Sequence, residues 1–150
     1  MIDLRFLDWI YYLKYKKLNN NWNAQPNAPE PEVFIENDKL ILKFFLNNYL
    51  YENFDEDDLG KLIFINCEKY NLNTMNDEGY YLGHYRYSNE ELPWGEFYKI
   101  NTKIDDFPLN YNVLKENIDQ KKLNHFIFFF RDNIFECIAE DFQFEIEKLN

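Results

Sequence analysis

The residues that interrupt or staple a fold are scarce: the 150-residue chain has four Gly, five Pro, two Cys and two His. Ser88 is its only serine. With so few breakers, long stretches can hold regular structure. Cys67 and Cys137 lie far apart in strand-like runs, without redox or zinc spacing, so buried free thiols are expected. The two histidines, His84 and His125, form no HxH or HxxxH pair, and no CxxC accompanies them, so no metal site and no cofactor are expected. Ser88 lacks the GxSxG turn of an activated nucleophile. P-loop, GxGxxG and calcium-loop spacings are missing too, and DEDD at residues 55–58 lacks the alternation of a calcium loop. No run of about 18 apolar residues could cross a bilayer. Asp3 and Asp8 interrupt the apolar segment that a secretory signal needs. A cytoplasmic protein is expected.

Aromatic residues and carboxylates are what the chain has in abundance. Fifteen Phe, twelve Tyr and three Trp can fill the core of one domain, and such rings favour pleated, half-buried surfaces. Asp and Glu number 27 against 16 Lys and Arg, a formal charge of −11. That charge repels nucleic-acid backbones and anionic lipid and favours encounter with a cationic protein.

Hydrophobic spacing indicates the elements. Phe6, Trp9, Ile10 and Leu13 recur at helical spacing, although Ile2, Leu4 and Phe6 also alternate; a helix is expected over Asp3 to Leu18. A connection carrying Pro26, Pro29 and Pro31 follows. Val33 and Ile35, then Leu40, Leu42, Phe44 and Leu46, alternate about Asn37-Asp38, residue types that tolerate the positive φ of a tight hairpin turn. The acidic run at Asp55, Glu56, Asp57 and Asp58 reads as a solvated loop. KLIFINCEKYNLN resumes strand, and HFIFFFRDNIFECIA reads as a second hairpin turning at Asp132-Asn133. Apolar parity then changes between Ala139 and Phe142, which requires a bulge or turn at Glu140-Asp141. YYLGHYRY is expected to be a strand, with Tyr81, Gly83, Tyr85 and Tyr87 on one face, and a short helix is expected near Asn112 to Lys121. The sum is one α+β domain, mostly an antiparallel sheet, with an N-terminal helix and one short additional helix.

The window from Asn76 to Ile100 concentrates charge and rings. General acid-base work by Asp77, Glu78 or Glu96 is conceivable, but with 27 acidic residues in the chain chance explains any such pair. Most of its rings suit the core; a minority, rimmed by Glu90, Glu91 and Glu96, suit an interface, where Tyr, Trp and Arg are enriched.

Taken in order, NAQPNAPEPEV, NDEGYYLGHYRY, PWGEFYKI and HFIFFFRDNIFECIAEDFQFE resemble a family of small uncharacterised bacterial proteins. That family has a PNAPEP-like connection, an NDEG-Y turn, a WGEFYE-like strand and an FYFRDxTFEC-like hairpin. The resemblance covers Asn23 to Glu145 and carries over no catalytic residue. In size and charge the chain also resembles the acidic immunity proteins encoded beside bacterial polymorphic and contact-dependent inhibition toxins. This second resemblance implies a non-enzymatic protein, monomer or homodimer, that covers the active site of a cognate cationic toxin domain such as a nuclease. Expected partner-binding residues are Asp55, Glu56, Asp57, Asp58, Glu78, Tyr81, Tyr85, Arg86, Glu90, Glu91, Trp94 and Glu96. The alternative is a small-ligand-binding or enzymatic domain with an aromatic-lined pocket involving Tyr81, His84, Tyr85 and Glu96.

Overall fold

The computed structural model describes residues 14–101 and 107–148. Its strands are β1 (Lys14–Lys17), β2 (Glu32–Glu36), β3 (Lys39–Phe45), β4 (Leu59–Ile65), β5 (Lys69–Asn73), β6 (Phe97–Asn101), β7 (Asn112–Val113), β8 (Asn124–Phe129), β9 (Ile134–Ala139) and β10 (Asp141–Glu147). They form two sheets, β1-β6-β8-β9-β5-β7 and β10-β4-β3-β2. Every pairing is antiparallel.

Alternation decides which face of each sheet turns inward. Leu40, Leu42 and Phe44 of β3 and Leu62 and Phe64 of β4 meet Phe97, Phe126, Phe128, Phe135 and Cys137 of the larger sheet in one buried cluster. Phe64 packs its ring 5.6 Å from Phe126 and 5.5 Å from Phe135, while Phe44 lies 4.8 Å from Phe128. These ring pairs join the two inner faces into a sandwich. Gly60 lets them close: a Cβ there would stand 2.6 Å from Cζ of Phe44.

Both expected hairpins form. Asn37 and Asp38 adopt φ of 51° and 62°, the left-handed pair that a two-residue turn requires, and β8 returns as β9 after Asp132-Asn133. The parity change at Glu140-Asp141 is the point where the chain leaves the larger sheet at Ala139 and enters the smaller one at Asp141. Glu140 N–H donates to Ile65 O at 3.0 Å there. KLIFINCEKYNLN makes the matching crossing: it is two strands, in different sheets, broken at Asn66 with φ 50°.

Three helical or extended expectations are corrected. Residues 3–13 of the expected helix lie outside the described residues, but Lys14–Lys17 are strand, paired with β6 from Lys14↔Asn101 to Lys17↔Tyr98. Asn112 to Lys121 is not a helix: β7 pairs with β5, and only Gln120–Lys122 turns as a 3-10 helix. Helix formers there gave way to sheet pairing, the usual outcome when propensity is weak. YYLGHYRY is not a strand either. Asn76 Oδ1 accepts from Gly79 N–H at 2.7 Å and caps a single turn, α1 (Asp77–Tyr81). Gly83 at φ 91° ends it, and a 3-10 turn follows at Ser88–Glu90. Among the described residues the fold is therefore mostly antiparallel sheet.

Candidate functional site

The face of the larger sheet that turns away from the core has its own cover. Tyr98 and Ile100 of β6, Ile127 and Phe129 of β8 and Ile134 of β9 point outward and are buried under Tyr80, Tyr87 and Leu92. The window is thus a lid tied at both ends. Asp77 N–H donates to Arg131 O at 2.9 Å and Gly95 N–H to Phe129 O at 2.7 Å. Tyr80, fully buried, donates its hydroxyl to Tyr87 O and accepts from Leu92 N–H, both at 2.9 Å. Burial pushes that phenol up to about 12.

Beneath the lid sits a polar cluster that the sequence pattern did not single out. Glu136 lies within β9, wholly buried, where alternation turns it out of the sandwich core and under the lid. Arg86 grips it with a two-pronged contact, Nη2 to Oε1 at 2.8 Å and Nη1 to Oε2 at 3.0 Å. His125 Nε2 meets Oε1 at 2.8 Å from the neighbouring strand, and the Tyr85 hydroxyl donates to Oε2. The guanidinium also lies over the rings of Tyr87 and Tyr85, 4.7 and 5.2 Å from their centroids.

Electrostatics fixes the protonation states. Burial, then Arg86 and Lys69, lowers His125 to about 3, so the imidazole is neutral and donates from Nε2. Burial pushes the Glu136 carboxyl well above the ordinary carboxylate range. The Arg86 fork opposes that push, because a guanidinium keeps its charge and is aimed at both oxygens. The four donors fill the roughly four lone-pair positions of a carboxylate, so the ionised form is the one this arrangement holds. A carboxylate so occupied has no lone pair left to accept a substrate proton. What the cluster does chemically is latch the lid to β8 and β9.

The expected partner-binding residues are divided by this architecture. Tyr85 and Arg86 are consumed by the latch. Trp94 packs 5.0 Å from Phe129 and 5.1 Å from Tyr80, as part of the lid's underside. Tyr81 is half exposed and donates its hydroxyl to Leu92 O at 3.0 Å. Glu96 is turned inward, accepting from Asn19 and Asn23, with Lys17 Nζ at 3.4 Å. Tyr81, Tyr85 and Glu96 accordingly take separate partners, and His84 is exposed. Glu78, Glu90 and Glu91 stand exposed on the lid.

Asp55, Glu56, Asp57 and Asp58 hang from the other sheet, between β3 and β4. The first three are exposed, but Asp58 is buried and corrects the expectation of a uniformly solvated loop. Its Oδ2 accepts from Lys148 Nζ and from Asp55 N–H, both at 2.8 Å. Lys148, then the Asp55 amide, lowers its pKa. Asp58 closes the loop by reaching back to the Asp55 amide and is committed before any partner arrives.

A groove lies on the outward face of the smaller sheet. It measures about 260 Å3 and is lined by Glu30, Glu32, Phe34, Lys43, Phe45 and Leu59. Phe34 in its lining is 42% exposed, and Ile35, on the other face of β2, is 55% exposed. Cys67 and Cys137 are both buried free thiols, as expected. No group of three or more His, Cys, Asp or Glu among the described residues could hold a metal ion. No helix among the described residues is long and apolar enough to cross a membrane. No family model, curated protein or solved structure matches the chain.

Proposed function

We propose that the chain is an immunity-type inhibitor, acting in the cytoplasm by binding, without catalysis of its own, a cognate cationic toxin domain and covering its active site. The observation that carries this reading is the number of exposed carboxylates left without a cation. Glu30, Glu32, Glu36, Glu56, Asp57, Glu78, Glu90 and Glu91 are exposed and have no ion pair among the described residues. Such groups keep their charge available for a basic partner, and opposite charge speeds encounter and fixes orientation. Asp58, Glu96 and Glu136 have local cations and are excluded from that role.

The test is a calorimetric titration against the purified domain encoded by the adjacent reading frame, at two salt concentrations, with its activity followed in parallel. One-to-one binding that abolishes the activity and weakens with salt is expected. Neutralising Glu56, Asp57, Glu90 and Glu91 together should slow association at low salt. Absence of binding, or binding that leaves the toxin active, refutes the reading.

A further inference from the structure

Among the described residues, the smaller sheet ends in a strand paired on one side alone. β2 pairs only with β3, and Val33, Phe34 and Ile35 make no hydrogen bond on their other side among the described residues. The two-residue turn at Asn37-Asp38 makes Glu36↔Lys39 the closing, hydrogen-bonded pair, so Phe34↔Ile41 and Glu32↔Lys43 are also of that kind. Val33 and Ile35 therefore turn their backbone N–H and C=O away from β3, toward open solvent. A free edge is a template for another strand. Side chains on the groove side alternate as Glu32, Phe34 and Glu36, and the groove of about 260 Å3 begins at Glu32 and Phe34.

Charge selects the occupant. If two copies paired β2 with β2 antiparallel, centred on Phe34, Glu32 of one would stand opposite Glu36 of the other twice over, on one face. Like charges opposite each other destabilise a pair. Lys43 does not relieve this, since its Nζ is drawn to Glu147 at 3.3 Å and lies 5.3 Å from the Phe34 ring. Lys43 and Lys39 stand opposite Glu32 and Glu36 across the ladder, but neither carboxylate makes an ion pair among the described residues.

We infer that the free edge of β2 takes an extended segment of a cationic partner as an added strand, with a basic residue opposite each of Glu32 and Glu36 and an apolar residue over Phe34. The recognised pattern is basic–apolar–apolar–apolar–basic, the complement of Glu-Val-Phe-Ile-Glu. Main-chain bonds to Val33 and Ile35 supply affinity, and the alternating side chains supply selection. The inference rests on the inhibitor reading for the partner's identity, and on the edge itself for the mode of binding.

The probe is the peptide acetyl-Thr-Lys-Val-Leu-Val-Lys-Thr-amide, titrated into the isotope-labelled chain and followed by amide NMR. Shifts confined to β2 and the groove, with a dissociation constant below about 1 mM at low salt, are expected. Ile35→Pro removes one outward donor without touching the ladder to β3, and should weaken binding by roughly three- to tenfold. The double neutralisation Glu32→Gln/Glu36→Gln, which sets no like charge opposite Lys43 or Lys39, should weaken it by roughly tenfold at low salt while leaving the fold unchanged. Shifts centred on the lid, equal binding of a peptide with Glu in place of Lys, or native-like binding by both variants would each overturn the inference. A homodimer that Ile35→Pro dissolves would overturn the choice of occupant. A toxin domain that binds the native chain and both variants equally sinks the edge while sparing the inhibitor reading. Peptide binding without any toxin binding does the reverse.

Discussion

Replacing Arg86 with methionine tests the latch most directly. The substitution keeps an apolar stem against Tyr85 and Tyr87 but removes both prongs from Glu136, which has no exposed surface. Breaking a buried ion pair by deleting one partner costs about 3–5 kcal/mol. Protonation limits the loss, because a stranded carboxylate can become neutral instead. At pH 7, about 2.7 pH units above the ordinary glutamate value, that costs about 3.7 kcal/mol, and the partly retained contacts of Tyr85 and His125 reduce it further. A destabilisation of about 2–4 kcal/mol at pH 7 is expected by urea unfolding, a large share of the 5–15 kcal/mol typical of a domain. The sign of its pH dependence follows from linkage. In the variant the cluster holds a proton, on Glu136 or on His125 facing it at 2.8 Å, that the unfolded glutamate releases above its ordinary value. A raised native pKa gives stability that is present at low pH and lost as pH rises, so the penalty should shrink toward pH 5. Adding Glu136→Gln to the variant should recover stability at pH 7. A loss under about 1 kcal/mol, or one that is equal at pH 5 and pH 8, would show that the fork does not compensate a buried charge.

Other expectations follow from the same geometry. His125, lowered to about 3, stays neutral while the unfolded histidine charges below its ordinary 6.5. Its contribution is therefore present above pH 6.5 and lost as pH falls toward 3, about 2 kcal/mol between pH 7 and pH 5. Its ring signals should not titrate between pH 5 and 8 by NMR. Gly60→Ala, which drives a methyl into Phe44, should cost about 1–3 kcal/mol in chemical denaturation. Phe64→Ala, which empties the contact with Phe97, Phe126 and Phe135, should cost about 3–5 kcal/mol. Asp58→Asn should flatten the acid limb of the stability curve, since a lowered carboxyl pKa gives stability present above the unfolded value and lost as pH falls through the folded one.

Period-two alternation was legible wherever a strand had one face in the sandwich core. Leu40, Leu42 and Phe44 gave β3 its inward face, and the Asn37-Asp38 turn and the parity break at Glu140 were readable because each needs a particular backbone geometry. The lid was not readable. Its alternating tyrosines imitate a strand, while its shape comes from the Asn76 cap, the Gly83 turn and Tyr80 reaching Tyr87 and Leu92, contacts that a periodicity does not encode. Glu136 escaped notice for a related reason. One carboxylate among 27 acidic residues carries no signal until the sheet register sets it beside His125 and the lid brings Arg86 over both. Its place in Phe-Glu-Cys-Ile, the one charge in an otherwise apolar run, was the available hint, since a carboxylate in a buried strand needs a partner.

The two outer faces of the sandwich divide the work unequally. The larger sheet's outer face is closed by a lid whose best anchors, Tyr85, Arg86 and Trp94, are already spent on Glu136 and Phe129, so freeing them for a partner would first have to break the latch. On the smaller sheet's outer face Lys61 pairs with Glu145 at 3.9 Å, a partly exposed contact that costs little to rearrange. A partner that opened the lid would have to offset several kcal/mol before gaining any contact. One that adds a strand to β2 meets backbone groups that make no hydrogen bond, and carboxylates that make no ion pair, among the described residues. For the proposed cationic partner the cheaper route is the β2 edge, and the lid carboxylates Glu78, Glu90 and Glu91 would act at a distance, through their field.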